Sequence, residues 1–328
     1  MAGSKKKSGL LLDLEAANGT AVTPTAAANA VAIRAKGLKI KSSVGTAARD
    51  VITGVMGNDD KLPFNHTADL SFGVELAGSG TAGTAPAWGK IMQMGGLAET
   101  VVAAATGVTA RVEYAPIQTG FKSATVFAEQ NDRLERYYYL MAALKMGFVV
   151  GEIASLDVAA KGLVTSVAAG SLGTKTFASW RRGLAVGAIN TSKMSLGSVG
   201  YANGALSGGT AYDFKSYNLD CGQDVQILEL ASRQTVSIYD FKPKVELVVD
   251  LTPVQHAQFV ADMKNGQTLG LGFTHGSAAG ARVLTHHPRC VIADIEDQED
   301  GPMIISKLIL EPRDSVDGAG DWLRLVSL

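Results

Sequence analysis

LPFNHTADLSFGVELAGSGTAGTAPAWGKIMQMGGLAET, residues Leu62–Thr100, contains in order a strand, a glycine-rich loop and a short helix. Between Ala68 and Leu76 apolar and polar residues alternate, which is the period of a half-buried antiparallel strand. Pro86 then opens a helical stretch, where its missing N–H costs nothing, and Gly95 and Gly96 end it. We therefore expect one apolar helix beside the edge of a sheet.

The same order of strand and helix returns in the second half of the chain. Residues 244–251 alternate, and a helix follows. Thr252 is its N-cap with Gln255 three residues on, the pattern of a capping box, while Pro253 takes its first position and Gly266 lies beyond its end. An extended segment at 32–41 is matched by 211–221, so the sequence predicts a duplicated chain. Chance similarity between two β domains remains the alternative. The expected packing anchors of the two helices are Trp88, Ile91, Phe259 and Met263.

Length and composition predict a mainly β protein with two domains. The chain has 328 residues, 46% of them hydrophobic, which suffices for two cores of ordinary size. We expect the first domain at 31–175 and the second at 176–328. Residues 1–30 are basic and then rich in Ala, Thr and Asn, which predicts an extended N-terminal arm that orders against a partner.

The charge balance argues against binding of nucleic acid or membrane by the chain as a whole. The formal net charge is −1, although residues 1–41 carry seven Lys and Arg against Asp13 and Glu15. Cys221 and Cys290 lack the spacing of a disulfide framework or a zinc site, which suits a reducing cytosol. Asp13 interrupts the first apolar run too early for a signal peptide. We expect no membrane partner.

Gly78, Gly80 and Gly83 have the GxGxxG spacing that cradles a pyrophosphate. The preceding strand alternates, whereas a dinucleotide-binding strand is parallel and almost continuously apolar. The third glycine should also lie inside the helix, but Thr84, Ala85 and Pro86 follow it before the apolar helical residues begin. We interpret the segment as a flexible loop.

Two further clusters of polar residues could suggest a metal site. His275, His286, His287 and Cys290 have no acid or second cysteine at ligand spacing. The acids at 294–300 lack the calcium-loop spacing and are interpreted as a solvated hairpin tip. No GxSxG, GKS, GKT or HExxH motif is present. The sequence thus predicts no catalytic residue, no metal and no cofactor, and a protein that is not an enzyme.

The two alternating strands share a chemical feature on the face opposite their apolar residues. That face carries acids in both halves, and an ordinary solvent-exposed surface is the alternative interpretation. The acids are Asp69, Glu75, Glu246 and Asp250.

VELAGSGTAGTAPAWGKIMQMGGLAETV, Val74–Val101, resembles a segment of the major tail tube proteins of long, non-contractile-tailed bacteriophages, the siphophage tail tube family. The resemblance extends more loosely over TPTAAANAV, SATVFAEQND and SYNLDCGQDVQ, and over the later KPKVELVVD strand with its helix. It covers most of the chain, and departs from the family pattern in the arm and the junction.

The resemblance implies two tandem tail-tube-type β-sandwich domains, each with a short flanking α-helix, whose inner sheets form a β-lined pore on assembly. Single-domain members form rings of six. A duplicated chain would therefore form homotrimeric, pseudo-hexameric rings, with a homohexamer as the alternative. The stacked rings form the conduit for DNA ejection. The four acids would face its lumen, repelling the phosphates of passing double-stranded DNA so that it moves without specific binding.

Stacking of rings needs protruding segments. The resemblance points to the arm, to a loop at 42–61 and to its counterpart at 222–242, and we expect Arg49, Asp59 and Asp60 to pair between rings. Further partners would be the tape-measure, tail terminator and distal tail proteins. The protein would be assembled in the host cytoplasm and located in the virion tail.

Two other function classes remain open from the sequence. A β-sandwich binding module for carbohydrate or protein would use Trp88 or Tyr137–Tyr139 as an exposed stacking platform. An enzyme would bind a nucleotide through Gly78–Gly83.

Overall fold

The protein is a mainly β structure with two short helices, as the sequence predicts. The computed structural model describes residues 8–25, 30–49, 51, 57–58, 60–173 and 175–328. The helices are α1 (Gly89–Met94) and α2 (Pro253–Lys264). The strands are β1 (Gly9–Leu14), β2 (Val31–Ile33), β3 (Lys36–Ala48), β4 (Lys61–Glu75), β5 (Leu97–Val102), β6 (Arg111–Pro116), β7 (Ala124–Gln130), β8 (Arg133–Val149), β9 (Ser155–Ala169), β10 (Met194–Ala202), β11 (Ala205–Tyr212), β12 (Phe214–Asp220), β13 (Gln223–Leu230), β14 (Arg233–Phe241), β15 (Lys244–Val249), β16 (Thr268–His275), β17 (Val283–Asp300), β18 (Met303–Arg313) and β19 (Arg324–Ser327).

Eight strands form a continuous antiparallel sheet that runs through both halves of the chain, and we call it the eight-strand sheet. Its order is β3-β4-β9-β8-β12-β15-β18-β17. Successive side chains point to opposite faces. On the core face Leu70, Phe72 and Val74 are buried. On the opposite face, which we call the open face, Asp69 is exposed, whereas Met141 and Leu163 are buried beneath the β13–β14 hairpin.

The strand order within this sheet occurs twice. In the first half it is β3-β4-β9-β8, and the second half repeats it as β12-β15-β18-β17. A helix follows the second strand of each set, β4 or β15. The neighbouring strands repeat too, because β1 pairs with β7 and β7 with β8, while β10 pairs with β16 and β16 with β17. The two halves share one topology, which is what a duplicated chain requires.

Part of the segment predicted as an N-terminal arm belongs to the body of the protein. Residues 9–14 form β1, which lies between β2 and β7 with antiparallel pairing on both sides. Leu10 and Leu12 are buried in the main hydrophobic core. Three successive leucines bury too much apolar surface to remain in solvent, so the prediction of an extended arm is wrong for this stretch. Residues 1–7 and 26–29 lie outside the described residues.

Both predicted stacking loops are largely hairpins. β3 continues to Ala48 and β4 begins at Lys61, so strand pairing extends well into the segment predicted as the 42–61 loop. Its counterpart at 222–242 consists of β13 and β14, paired from Gln223 to Phe241. In β13 and β14 the apolar residues Val225, Val236 and Ile238 alternate with polar ones and are buried together, so this hairpin has one apolar face.

Both helices follow the predicted strands, but α1 begins at Gly89 and not at Pro86, whose carbonyl accepts the Gly89 N–H in the preceding turn. α1 is flanked by Trp88, and that ring, Ile91 and Met92 are buried. α2 begins with the predicted capping box, in which the Thr252 and Gln255 side chains each accept the other's backbone N–H. It packs less deeply, since only Phe259 is buried, and Met263 contacts the core from a partly buried position.

We expect Leu12→Ala to lower the free energy of unfolding by about 2–5 kcal/mol, since it removes a fully buried side chain and leaves a cavity. Val254→Ala on the exposed side of α2, where the side chain is 80% exposed, is the matched control and should change stability by under about 0.5 kcal/mol. Urea unfolding midpoints measure both. If Leu12→Ala had the same urea midpoint as the wild-type protein, β1 would be a dispensable arm.

Candidate functional site

The feature that joins the two halves is a backbone ladder between β8 and β12. Residues Lys145–Val149 pair antiparallel with Ser216–Asp220. On the core face, Phe148 lies opposite Tyr217, both fully buried with ring centroids 6.0 Å apart. On the open face, Lys145 Nζ lies 2.7 Å from a carboxylate oxygen of Asp220. This joint thus combines main-chain hydrogen bonds, apolar burial and one ion pair.

Side-chain hydrogen bonds from the second half reinforce this joint. The Gln223 amide accepts the Leu144 N–H at 2.9 Å and donates to the Gly95 carbonyl at 2.9 Å. The Cys221 N–H also donates to the Leu144 carbonyl at 3.0 Å. A second ladder joins β6 of the first half to β19 of the second. The halves therefore form one continuous hydrogen-bonded body.

The glycine-rich loop forms part of the contact between the halves. The Gly80 N–H donates to the Gly280 carbonyl at 2.7 Å, and a Cβ at Gly78 would lie 2.2 Å from that same oxygen. These glycines permit close approach of two backbones. Because the Gly80 N–H is already paired with the second half, it cannot serve as a donor to a pyrophosphate.

The eight-strand sheet ends in two open edges. Among the described residues, β3 pairs only with β4, so its other side is an open edge. β17 pairs with β16 as far as Val291, and beyond that point its pairing in the described chain is with β18 alone. Backbone N–H and C=O groups along an unpaired edge are available to another strand.

The two open edges carry opposite charges. Lys39 and Lys41 are exposed on β3. The corresponding stretch of β17 carries Asp294, Glu296, Asp297, Glu299 and Asp300, all exposed except the half-buried Asp300. These acids were predicted to occupy a hairpin tip, but they run along a strand edge. An edge rich in lysine and an edge rich in carboxylate can attract each other.

The four acids predicted to line a lumen do not form a uniformly acidic face. Asp69 lies opposite Lys41 on one neighbouring strand and Lys161 on the other. Glu246 lies 2.9 Å from Lys244 and 3.6 Å from Lys307. The open face is therefore of mixed sign.

The other two acids lie near the end of their strands. Glu75 is 3.2 Å from Lys36 and accepts the Gly183 N–H at 3.1 Å. Burial acts to raise the pKa of Glu75, but these two donors outweigh it and hold that pKa below its ordinary value. Asp250 follows β15 and is exposed, with its N–H donated to the Asp213 carbonyl.

The residues predicted to pair between rings lie at the end of the β3–β4 hairpin. The Arg49 N–H donates to the Asp60 carbonyl at 2.9 Å, which closes the described part of the hairpin. Both side chains are exposed. Asp59 lies outside the described residues.

The aromatic residues proposed for a carbohydrate platform are not available to a sugar. Trp88 is buried, its indole N–H donates to the Ala77 carbonyl at 2.8 Å, and its ring lies 5.0 Å from that of Tyr114. Tyr137 is fully buried, and Tyr138 and Tyr139 are half-buried against the β13–β14 hairpin. They pack within the protein.

A search of protein-family models and of curated proteins finds no match to this chain. Within the described ranges, neither helix has the length and apolarity needed to cross a membrane. The same ranges contain no group of three or more His, Cys, Asp or Glu placed to hold a metal ion.

One of the four residues considered for a metal site, His287, is a buried structural residue. His287 shares a hydrogen bond with the Tyr217 hydroxyl at 2.8 Å, and its Nδ1 lies 2.8 Å from the Trp322 carbonyl. Burial lowers the pKa of His287 to about 4, although the Trp322 carbonyl acts in the opposite direction. The imidazole is therefore neutral at pH 7 and ties β17 to the core.

Because the folded pKa of His287 lies below that of an unfolded histidine, stability is highest above pH 6.5 and falls as the pH drops toward 4. We expect His287→Gln to remove roughly 3 kcal/mol of this pH dependence. The measurement is the urea midpoint at pH 7.5 and 4.5. His66→Gln on the exposed part of β4 is the control. If His287→Gln kept the pH dependence of the wild-type protein, the assignment would be contradicted.

Proposed function

We propose that this protein is the self-assembling structural subunit of a phage tail tube, the conduit for DNA ejection into the host. The observation that carries the proposal is the joint between β8 and β12. In the order of the sheet, β8 is the last strand of the first half and β12 is the first strand of the equivalent second half. In the order of the sheet, the second half ends in β17, the equivalent of β8, and the first half begins with β3, the equivalent of β12. The same joint can therefore repeat between copies.

Repetition of such a joint produces either a closed ring or an open filament, since the two surfaces that meet are different. Closure also removes both open strand edges, which otherwise invite uncontrolled pairing. The resemblance to proteins that form rings of six supports a homotrimer of duplicated chains. A homohexamer is the alternative.

The part of the open face that the β13–β14 hairpin leaves uncovered would line the tube. Several of its lysines already have carboxylate partners, as in the pairs Lys145–Asp220 and Lys307–Glu296. DNA binds proteins largely through cations that neutralise its phosphates, and paired lysines serve this purpose poorly. A lining of mixed and paired charge would let double-stranded DNA pass without specific binding, in place of the uniformly acidic lining expected from the sequence.

Stacking of rings would use the β3–β4 hairpin. Its described end carries three exposed apolar side chains, Val44, Leu62 and Phe64, in a region away from the core. Exposed apolar groups at the end of a protruding element are typical of a protein contact. The tape-measure, tail terminator and distal tail proteins would complete the assembly in the virion tail, with no cofactor and no catalytic step.

The rival functions have less support. A carbohydrate module would need an exposed aromatic platform, whereas Trp88 and Tyr137 are buried. A nucleotide-binding enzyme would need the loop at Gly78–Gly83, whose backbone contacts residues near Gly280. Neither rival explains the open strand edges.

We expect concentrated wild-type protein to form tubes in negative-stain electron microscopy. Native mass spectrometry of dissociated rings should give three copies of the 34.1 kDa chain. Six copies would support the homohexamer. A monomer that forms neither rings nor tubes at any concentration would refute the proposed function.

We further expect replacement of residues 49–60 by a short Gly–Ser turn to leave soluble rings that do not stack. This replacement removes Arg49 and Asp60 and preserves the paired parts of β3 and β4. A matched control replaces the turn at 231–232, between β13 and β14, by Gly–Ser. Tubes of normal length from the first variant would show that this hairpin end does not connect rings.

A further inference from the structure

We propose that β3 of one copy pairs antiparallel with β17 of the next in one defined register, with Lys41 opposite Glu296 and Lys39 opposite Gln298. The inference rests on the proposed ring assembly and names the residues that set its joint. It follows from internal equivalence and from the charges of the two open edges.

The equivalence of β3 and β12 follows from their common neighbours. Leu70 of β4 and Val245 of β15 occupy the same place in the alternating strands before the two helices. Leu70 pairs with Ile40, and Val245 pairs with Leu219. Ile40 is therefore equivalent to Leu219, which makes Lys41 equivalent to Asp220 and Lys39 equivalent to Asn218.

The equivalence of β8 and β17 follows from the opposite side of the same strands. Leu70 pairs with Ala160, and Val245 pairs with Leu310, so Ala160 and Leu310 are equivalent. Asp157 and Lys307 each lie three residues before them and are equivalent as well. Their partners on the next strand are Lys145 and Glu296. Ser155 and Ile305 lie five residues before Ala160 and Leu310 and are likewise equivalent. Their partners, Gly147 and Gln298, are therefore equivalent too.

The joint inside the chain then fixes the joint between copies. Within the chain Asp220 lies opposite Lys145, and Asn218 lies opposite Gly147. Substituting the equivalent residues places Lys41 opposite Glu296 and Lys39 opposite Gln298. Lys39, Lys41, Glu296 and Gln298 are all exposed.

This register completes a row of alternating charge. Across the joint inside the chain, neighbouring strands present Asp157, Lys145, Asp220 and Lys244 in succession, which alternate in sign. Across the joint between copies, the equivalent row reads Lys307, Glu296, Lys41 and Asp69. Every sign is inverted and every neighbour remains opposite in charge, so this register satisfies each cross-strand pair of this row.

The joint between copies differs from the internal one on the core face. β8 presents Met146 and Phe148 there, whereas β17 presents Asp297 and Glu299 at the equivalent positions. The joint between copies therefore depends more on charge than on apolar burial. Like charges also disfavour pairing of β3 with β3 or of β17 with β17, which leaves the head-to-tail arrangement.

Disulfide trapping tests the register. Lys39→Cys with Gln298→Cys places two cysteines directly opposite, with Cβ atoms about 5 Å apart, and oxidation should link the copies of each ring covalently. Lys39→Cys with Glu296→Cys is the control, because its diagonal Cβ atoms lie roughly 7–8 Å apart, beyond disulfide reach. The native Cys221 and Cys290 are fully buried and do not compete.

Covalent trimers from the first pair alone support the register, whereas tubes that cross-link equally with both pairs, or with neither, overturn it and leave the proposed function intact. Absence of tubes from the wild-type protein overturns the proposed function itself.

A charge reversal provides a second readout that needs no cysteine. Lys41→Glu would place two acids against Glu296 and Asp69, and should raise the protein concentration required for assembly by about tenfold or more. Lys264→Glu, at the exposed end of α2, makes the same charge change away from both edges and should assemble as wild type. Equal assembly of the two variants contradicts the charge-paired joint.

Discussion

The backbone ladder between β8 and β12 is the contact on which the rest of the structure depends. It makes one sheet from two equivalent halves and places Phe148 and Tyr217 in a common core. Because equivalent halves meet through different edges, each joint leaves a further pair of edges open. In the proposed assembly, self-association would follow from the strand order, whereas the charges on the open edges would determine which partner fits.

The sequence was sufficient to predict the mainly β fold, both helices and the capping box at Thr252. These features depend on local periodicity and capping, which neighbouring residues determine. It was not sufficient for β1, whose leucines stand in a basic, Ala-rich context that resembles a disordered arm. Nor could it give the pairing of strands distant in sequence, such as β8 with β12, because register depends on tertiary contacts.

The candidate site shows the same division. Asp69 and Glu246 were correctly assigned to the face opposite the core, since alternation alone determines that. The lysines that accompany them lie on adjacent strands, so a uniformly acidic face was expected where a mixed one is found. The strand edge formed by the acids of β17 was not predicted, because the run at 294–300 is polar on both faces and lacks the alternation that indicates a strand.

Covalent fusion of the two halves has a consequence for how the subunit matures. The segment between β9 and β10 tethers the strands that form the internal joint, so their pairing is intramolecular, with an effective concentration on the order of millimolar. The apolar surface around Phe148 and Tyr217 can then be buried as soon as a single chain folds, without waiting for a second molecule. In the proposed ring, only the hydrophilic joint between copies would be left for bimolecular encounter, which would protect newly synthesised chains from aggregation at high expression.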